Sequence, residues 1–574
     1  MSGRRLALFI VVVVAVLGFA VLFAALAIRS TPVTPSSTVL VFDVPEELDE
    51  AQAPAGSGIF DLVQRERPTV WMLADGIRRA AGDAKVKALV MHIDGLDWGW
   101  AKVAEIRSAV MDFRRSGKPV YASFEGGGER EYLLASAAGT IACPPLAMLE
   151  LNGLTASALF MRGTLDKVGV TPNFAQAGRY KSAVEAWTQT SMTGPAREAL
   201  QALVDDQYDV LVDSLATARA LSADSVIALI DQGPFGARAA VSAGLADTLL
   251  HRAELDSMAI AAVGGRHATL SLNRYVGRLE TQRGNAHIAL VTAVGTIAEG
   301  KSRSSPGDGD VLGAETLIKA LREARNRSSI EAIVLRVDSP GGSAQASDEI
   351  WEEVRRCAEK KPVIASFSDL AASGGYYIAV AADTIVAEPG TLTGSIGAFG
   401  GKLNLLGLYH KLGLNVETVS RGRHAEMFSQ FKDFTPEEAT RFQEQMDEVY
   451  RVFLGRVAEG RGLPVSEVDS VGQGRVWTGL SAVDLGLVDV LGGLPEAFEI
   501  ARSMAGIDAS ESVEIDVYPR VERSFFQRLF TDLWGDESDD ASAELPPVVR
   551  AWLAAARFPT AAPLTLMPWS IDIR

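Results

Sequence analysis

The chain has 574 residues, 48% hydrophobic and 22% charged, ordinary globular usage that excludes both a single small module and wholesale disorder. Asp and Glu (72) outnumber Lys and Arg (55) for a net charge of −17, a sign that repels phosphate backbones and argues against a general nucleic-acid binder. Two cysteines, Cys143 and Cys357, exclude a disulfide scaffold and a Cys-rich zinc cluster, and six scattered histidines with no i,i+4 pair give no support to a His-rich metal centre, so neither metal nor organic cofactor is expected.

The first element is the run Leu6 to Ile28, 23 residues without a charge. At about 1.5 Å per residue it reaches roughly 35 Å, enough for a hydrocarbon core of about 30 Å. Arg4 and Arg5 precede it, and beyond Arg29 the next charges are acidic (Asp43, Glu46, Glu47), which places the N-terminus on the cytoplasmic side and the body across the membrane. The rival is a cleaved signal peptide, for which Ala25-Leu26-Ala27 would serve as the cleavage site; the run is longer than the usual 7–15-residue core of such peptides, which favours a retained anchor. Thr31 to Ser37, with two prolines, reads as a linker.

The body contains a duplication. Val86-Lys-Ala-Leu-Val-Met-His-Ile-Asp94 matches Ile330-Glu-Ala-Ile-Val-Leu-Arg-Val-Asp338, and Lys118-Pro-Val-Tyr-Ala-Ser-Phe124 matches Lys361-Pro-Val-Ile-Ala-Ser-Phe367. The same order continues with Thr140-Ile141 on Thr384-Ile385, Lys167-Val-Gly-Val170 on Lys411-Leu-Gly-Leu414 and Gly178-Arg179 on Gly422-Arg423, and Val241 to Asp247 echoes Val483 to Asp489. Within each half, short Val/Ile-rich runs alternate with helical patterns such as Ala344 to Cys357, which predicts an α/β fold in each. The expected organisation is an anchor and linker (1–37), a first repeat (38–250), a connector (251–285), a second repeat (286–505) and a tail (506–574). In the tail, Asp536 to Pro547 is acidic and Ala551 to Phe558 is a short apolar helix candidate; it reads as a variable or partner-docking appendage.

Chemistry concentrates in the second repeat. Asp338-Ser-Pro-Gly-Gly-Ser343 is a turn directly after a buried strand, where paired glycines let backbone N–H groups face a ligand, as an oxyanion hole requires. After the next strand, Ala371-Ala-Ser-Gly-Gly-Tyr-Tyr377 puts Ser373 at a strand-to-helix turn among small residues, a position for an exposed nucleophile. Taken alone, that serine is better explained as a helix N-cap with glycines that serve packing. Gly400-Gly401-Lys402 lacks the spacing of a phosphate loop, His92 and His424 read as packing or surface residues, and Thr435 to Glu448 reads as a solvated helix face.

Val337-Asp-Ser-Pro-Gly-Gly342, Ala371-Ala-Ser-Gly-Gly-Tyr-Tyr377 and Thr391-Leu-Thr-Gly-Ser-Ile-Gly397, in this order, resemble the signal peptide peptidase A (protease IV) family of bacterial membrane serine peptidases. The resemblance covers nearly the whole chain, because long members also have an N-terminal anchor and two tandem repeats of a Clp-protease/crotonase-like fold. It implies Ser373 as nucleophile and a lysine as general base. In short members that lysine falls at the position of Ala425, which cannot act as a base. Long members carry it in the first repeat, within a Gly-x-Tyr-Lys-Ser-Ala stretch, and Gly178-Arg-Tyr-Lys-Ser-Ala183 supplies Lys181, 244 positions before Ala425. Conversely, Glu129 stands opposite Ser373 in a Gly-rich segment, Glu125 to Glu129, that has lost the Ala-Ser-Gly-Gly pattern. One composite site from two repeats is implied. The family further implies Ser395 as orienter of the lysine, and an oxyanion hole from the N–H of Gly374 with that of Gly341 or Gly342.

A lysine at its ordinary pKa of about 10.4 is neutral only about 0.04% of the time at pH 7, a handicap of about 4.6 kcal/mol for a base, so Lys181 must be desolvated; Tyr180, Val184 and Trp187 are apolar candidates beside it. The implied activity is hydrolysis of hydrophobic peptides, such as released signal peptides, by a homotetramer anchored in the bacterial inner membrane through residues 6–28, with its catalytic body on the periplasmic side. Two rivals stand beside it. A crotonase-like acyl-CoA hydratase or isomerase would need a carboxylate at the reacting centre, and an inactive membrane scaffold of the same fold would account for the eroded Glu125 to Glu129 motif.

Overall fold

The computed structural model describes residues 34–35, 37–52, 68–264, 268–279, 284–305, 309–520, 564–567 and 573. The apolar run Leu6 to Ile28 and the tail stretches Asp536 to Pro547 and Ala551 to Phe558 lie outside the described residues. Among those described, no helix is long and apolar enough to cross a membrane.

The first repeat is built on six parallel strands. Chain order gives β1 (Thr38–Asp43), α1 (Val70–Gly82), β2 (Val86–Ile93), α2 (Trp100–Arg115), β3 (Val120–Phe124), α3 (Glu129–Ala135), β4 (Thr140–Cys143), β5 (Thr171–Ala177), α4 (Gly194–Arg219), β6 (Thr248–Leu249), α5 (Arg252–Val263) and β7 (Ala268–Ser271). Across the sheet the strands run β7-β1-β2-β3-β4-β6, and β5 leaves it. Helices cover both faces: Leu73, Ile77, Ile106 and Val110 of α1 and α2 share a core with Leu89 and Met91, and Leu255 and Ala259 of α5 share another with Val39, Ala88 and Val90. That is why β2 is an almost unbroken apolar run and not an alternating one.

The second repeat follows the same plan with β8 (Ala286–Val294), β9 (Thr296–Ala298), β10 (Ile330–Ser339), β11 (Gly341–Ser343), α6 (Ala344–Ala358), β12 (Val363–Ala372), α7 (Gly374–Ala379), β13 (Thr384–Ala387), β14 (Leu392–Gly394), β15 (Ala398–Asn404), α8 (Pro436–Arg461), β16 (Val476–Thr478), β17 (Val490–Leu491), α9 (Leu494–Met504) and β18 (Val513–Tyr518). Its sheet runs β16-β14-β12-β10-β8-β18, with β13 on β12 and β17 on β13. Individual side chains repeat as well. Lys118 Nζ donates to the carbonyls of Ala80 and Asp83, and Lys361 Nζ to those of Ala324 and Arg327. Tyr132 and Tyr376 each donate a hydroxyl 2.8 Å to a leucine carbonyl, of Leu245 and Leu487.

Strand pairing carries both repeats beyond the limits drawn from sequence identity. Residues 251–285 are more than a connector, since α5 covers the first sheet and β7 pairs in parallel with β1. In the same way β18, placed in the tail by sequence, pairs in parallel with β8. These edge strands pair through backbone groups, so their residues diverged while their positions did not.

The contacts that set the repeats against each other include a strand pair and a buried charge cluster. The strand β5 runs antiparallel to β15 of the second repeat along its whole length, from Thr171 on Asn404 to Ala177 on Ala398. On the other side a charge cluster is buried between them. Arg336 meets Glu50 at 3.0 Å and Glu105 at 2.6 Å, and Lys102 of α2 reaches Asp338 at 3.0 Å and Asp369 at 3.4 Å. The Asp369 carboxylate also accepts the N–H groups of Gly99 and Lys102 at the start of α2.

Candidate active site

The strand β12 ends at Ala372, and the chain turns into α7 through Ser373 at φ 56°, ψ −115°. A non-glycine residue with this φ costs about 1–3 kcal/mol and persists only where its surroundings fix it. Here the Ser373 N–H donates to the Gly394 carbonyl at 2.8 Å. The hydroxyl makes no capping bond to the helix. It points instead at Lys181, whose Nζ lies 2.8 Å from Ser373 Oγ.

Lys181 comes from the other repeat, four residues past the end of β5. The pairing of β5 with β15 delivers it, because β15 begins three residues after Ser395. A loop from 472 to 475 then locks the two segments together. Tyr180 N–H donates to the Gln473 carbonyl, Ser395 N–H to the Arg475 carbonyl, and Gly474 N–H to the Ile396 carbonyl, at 2.7–2.8 Å. The approach is so close that a Cβ on Gly474 would fall 2.6 Å from the Lys181 backbone, and one on Gly178 would fall 2.5 Å from Gln473.

The ammonium position is fully enclosed, with Lys181 at 0% exposure. Its Nζ has three neighbours: Ser373 Oγ at 2.8 Å, and the carbonyl oxygen and hydroxyl of Ser395, each at 2.9 Å. Burial drives its pKa well below the ordinary lysine value. A neutral amine has two N–H donors and one lone pair. Two N–H groups directed at the two oxygens of Ser395 leave the lone pair for the Ser373 hydroxyl proton, so the three contacts suit the neutral form. Ser395 can present both oxygens because Gly394 and Ser395 both have positive φ, 75° and 52°.

The glycines divide by environment. Gly374 N–H, the first of α7, has no hydrogen-bond partner among the described residues. Gly341 N–H lies 3.2 Å from the Ser339 hydroxyl, and Gly342 is held in β11 opposite Ile297 of β9. The turn and α7 are in contact, since a Cβ on Gly375 would meet the Ser339 carbonyl at 2.5 Å.

Among the described residues, the first repeat has no matching site. Glu129, opposite Ser373 by sequence, turns its carboxylate to the N–H groups of Asn152 and Gly153 at 2.9 Å. Ala425, opposite Lys181, sits exposed in a turn. His92 is buried and hydrogen-bonded to Ser123 Oγ and Asp256, inside the first repeat and away from this centre. Sequence reading had no signal for the 472–475 loop or for Lys102 with its two carboxylates. The tail, read from sequence as a variable or partner-docking appendage, instead contributes a strand to the body, since β19 (Leu564–Leu566) pairs with β11 and β15.

A serine and a buried lysine within hydrogen-bond reach, next to a free backbone N–H, form the constellation of a serine hydrolase. Comparison with known proteins agrees and narrows it. The model of peptidase family S49 matches residues 112–262 and 355–508, one stretch in each repeat. The chain is 38% identical over 453 residues to "Serine protease SPPA, chloroplastic" of Arabidopsis thaliana, covering 77% of this chain and 67% of that one. It is 31% identical over 480 residues to "Protease 4" of Haemophilus influenzae, covering 80% and 75%. The chain is a serine peptidase; it belongs to peptidase family S49, in the two-repeat form. A solved structure of ClpP1 from Listeria monocytogenes aligns with 36% of this chain and 91% of its own at 17% identity, with a TM-score of 0.22, too low to add to the topology above.

Proposed function

We propose that this peptidase cleaves peptide bonds with a Ser373/Lys181 dyad assembled from both repeats of one chain. The supporting observation is the 2.8 Å approach of Lys181 Nζ to Ser373 Oγ inside a fully buried site. Neutral Lys181 takes the hydroxyl proton as Ser373 Oγ attacks the scissile carbonyl. The oxyanion forms against the N–H of Gly374 together with that of Gly341 or Gly342. As the tetrahedral intermediate collapses, the lysine ammonium returns the proton to the leaving amine, which departs and leaves an ester on Ser373. Water then attacks that ester while Lys181 takes its proton, and as the second tetrahedral intermediate collapses the ammonium passes that proton to the departing Ser373 Oγ, which leaves a free carboxyl, a regenerated serine and a neutral lysine. Ser395 orients the amine throughout. No histidine and no carboxylate take part, which also disfavours a crotonase-like acyl-CoA reaction.

The substrates we propose are hydrophobic peptides, including signal peptides already released from preproteins. The apolar run 6–28 supports a single-pass anchor in the bacterial inner membrane, with the body on the extracytoplasmic side, and the family resemblance supports a homotetramer. The test is hydrolysis of an unfolded, leucine-rich peptide by detergent-solubilised chain, set against Ser373→Ala and Lys181→Met. Both variants should remain folded and lose activity. An active Lys181→Met would move the base elsewhere, and an inactive parent across pH 6–9 would return the scaffold reading.

A further inference from the structure

Where β10 and β12 run toward the site, their pairing breaks at one place. Val337 faces Phe367 and Ser339 faces Ala371, so the single residue Asp338 lies opposite Ser368, Asp369 and Leu370. A bulge of this kind bends a strand and re-aims the residues beyond it. Here those residues carry the reacting geometry: Ser339 leads into the turn of Gly341 and Gly342, and Asp369 stands four residues before Ser373. The Asp338 carbonyl accepts Gly295 N–H at 2.9 Å, and the Ser339 hydroxyl donates to the Gly295 carbonyl at 2.6 Å while it accepts Gly341 N–H at 3.2 Å. A displacement of Asp338 therefore passes into the turn.

Lys102 of the first repeat spans this bulge. Its Nζ lies 3.0 Å from Asp338 on one strand and 3.4 Å from Asp369 on the other. An ammonium in the first turn of a helix sits at the unfavourable end of the helix dipole, and α2 also begins without a side-chain cap or an acidic residue of its own. The second repeat supplies what is missing, because the Asp369 carboxylate accepts the N–H groups of Gly99 and Lys102 at 3.1 and 3.0 Å. The fit is close enough that a Cβ on Gly99 would overlap that carboxylate. The other charges facing Asp338 are Glu50 and Arg336, and these answer each other, since Arg336 meets both Glu50 oxygens at 3.0 Å. Burial by itself lowers the Lys102 pKa, but Asp338, Asp369 and Glu50 outweigh it and hold the pKa above the ordinary lysine value, so Lys102 is a cation at neutral pH.

We propose that Lys102 is a positioning residue for the peptidase reaction: by clamping Asp338 and Asp369 across the bulge, it sets the distance between the turn of Gly341 and Gly342 and the turn of Ser373 and Gly374. This rests on the proposed roles of Ser373 and of those glycines, whose N–H groups form the oxyanion hole. Lys102 touches no reacting atom and acts through Asp338. The first repeat thus bears on the site at two points, with Lys181 on the proton and Lys102 on the oxyanion. The two turns have little slack between them, since a Cβ on Gly375 would meet the Ser339 carbonyl at 2.5 Å. Without the ammonium, two carboxylates that now share one Nζ repel each other and spread β10 and β12 at the bulge. The oxyanion donors then miss their positions in the transition state while the bound peptide is held as before, so the loss falls on kcat and not on KM.

The test uses full-length chain and a short apolar fluorogenic peptide, at a temperature where circular dichroism shows each variant folded. Lys102→Met and Asp338→Asn should each lower kcat about 10–100-fold with KM changed by less than about 2-fold. The inhibition constant of a peptide aldehyde, whose carbonyl carbon bonds to Ser373 Oγ and leaves its oxygen in the hole, should rise by the same factor as kcat falls. The double variant Lys102→Met/Asp338→Asn should be no slower than the slower single one, because both substitutions break one contact. A folded Lys102→Met with the parental kcat, losses that multiply in the double variant, or an unchanged aldehyde constant beside a lowered kcat overturns the proposal. If Lys102→Met does not fold, Asp338→Asn decides by the same readouts, since it keeps the side-chain volume and leaves Lys102 its contact with Asp369. Ser373→Ala separates the two levels. Cleavage that survives in it counts against the dyad itself, whereas a dead Ser373→Ala beside a Lys102→Met of parental kcat counts against the clamp alone.

Discussion

Ser395 holds Lys181 Nζ twice, through its carbonyl oxygen and through its hydroxyl, each at 2.9 Å. The carbonyl bond survives any side-chain substitution, so Ser395→Ala isolates the hydroxyl. Removing it leaves a buried amine one partner short, a loss of about 1–3 kcal/mol, or roughly 5–150-fold. If the hydroxyl orients the base, that loss appears in kcat with KM nearly unchanged, and Ser395→Thr restores part of it. Equal losses in kcat and thermal stability with no rescue by threonine would make Ser395 a structural residue only.

Burial of Lys181 fixes the sign of two pH dependences. The folded-state pKa is depressed below 10.5, so between the two values the unfolded chain binds one more proton than the folded chain, and stability rises with pH across that window. Lys181→Met removes the difference. It should be more stable than the parent at neutral pH, with a gain that shrinks toward pH 10.5, as denaturant midpoints at pH 6, 8 and 10 would show. Activity follows the neutral amine, so kcat/KM should climb with pH and level off well before 10.5. A rise centred near 10.5 would mean that the lysine is solvated in the working enzyme.

How much of this was legible beforehand depends on what kind of contact makes each part. Ser373, Lys181 and Ser395 stand in local motifs, and the repeat offset linked Lys181 to Ala425 and Glu129 to Ser373, so the division of labour we propose between the repeats was visible as a pattern of complementary losses. The antiparallel pairing of β5 with β15, which brings the residues together, rests on backbone hydrogen bonds and leaves little trace in side-chain identity. The same holds for β7, β18 and β19. Lys102 was invisible for another reason: a lysine near the start of an amphipathic helix reads as solvent-facing, and only the docking of the second repeat supplies Asp338 and Asp369.

That docking predicts a stability effect that does not involve Lys181. Lys102 is the cation between two largely buried carboxylates, and burial together with Asp369 and Glu50 already pushes the Asp338 pKa up to about 6. Lys102→Met leaves both carboxylates uncompensated, at a cost of about 3–5 kcal/mol. A raised carboxyl pKa means that the folded chain binds the extra proton, so stability falls as pH rises from about 3.8 through the folded value. Without Lys102 that value moves higher, and the variant should lose more at pH 8 than at pH 5. Adding Asp369→Asn should recover part of the loss. An additive double variant would show that the two side chains are not coupled.

The loop at 472–475 gives a way to move Lys181, the proposed base, without touching it. Gly474 has φ 77°, and a Cβ there would sit 2.6 Å from Lys181 Cβ and N, a contact that only a shift of the lysine backbone can relieve. Gly462, at the end of α8, shares the left-handed conformation at φ 64° but has open space where its Cβ would go. Both alanine variants carry the same backbone penalty, roughly 1 kcal/mol. Only Gly474→Ala also displaces Nζ from Ser373 Oγ, and a misplacement of about 1 Å in a reacting group costs on the order of 100-fold in rate. Steady-state kinetics and thermal melts of the pair separate these terms: Gly474→Ala should melt lower than Gly462→Ala, because its clash adds to the shared backbone penalty, and at a temperature where both variants are folded only Gly474→Ala should lose kcat. Equal activity in the two variants would show that the loop does not set the position of the lysine.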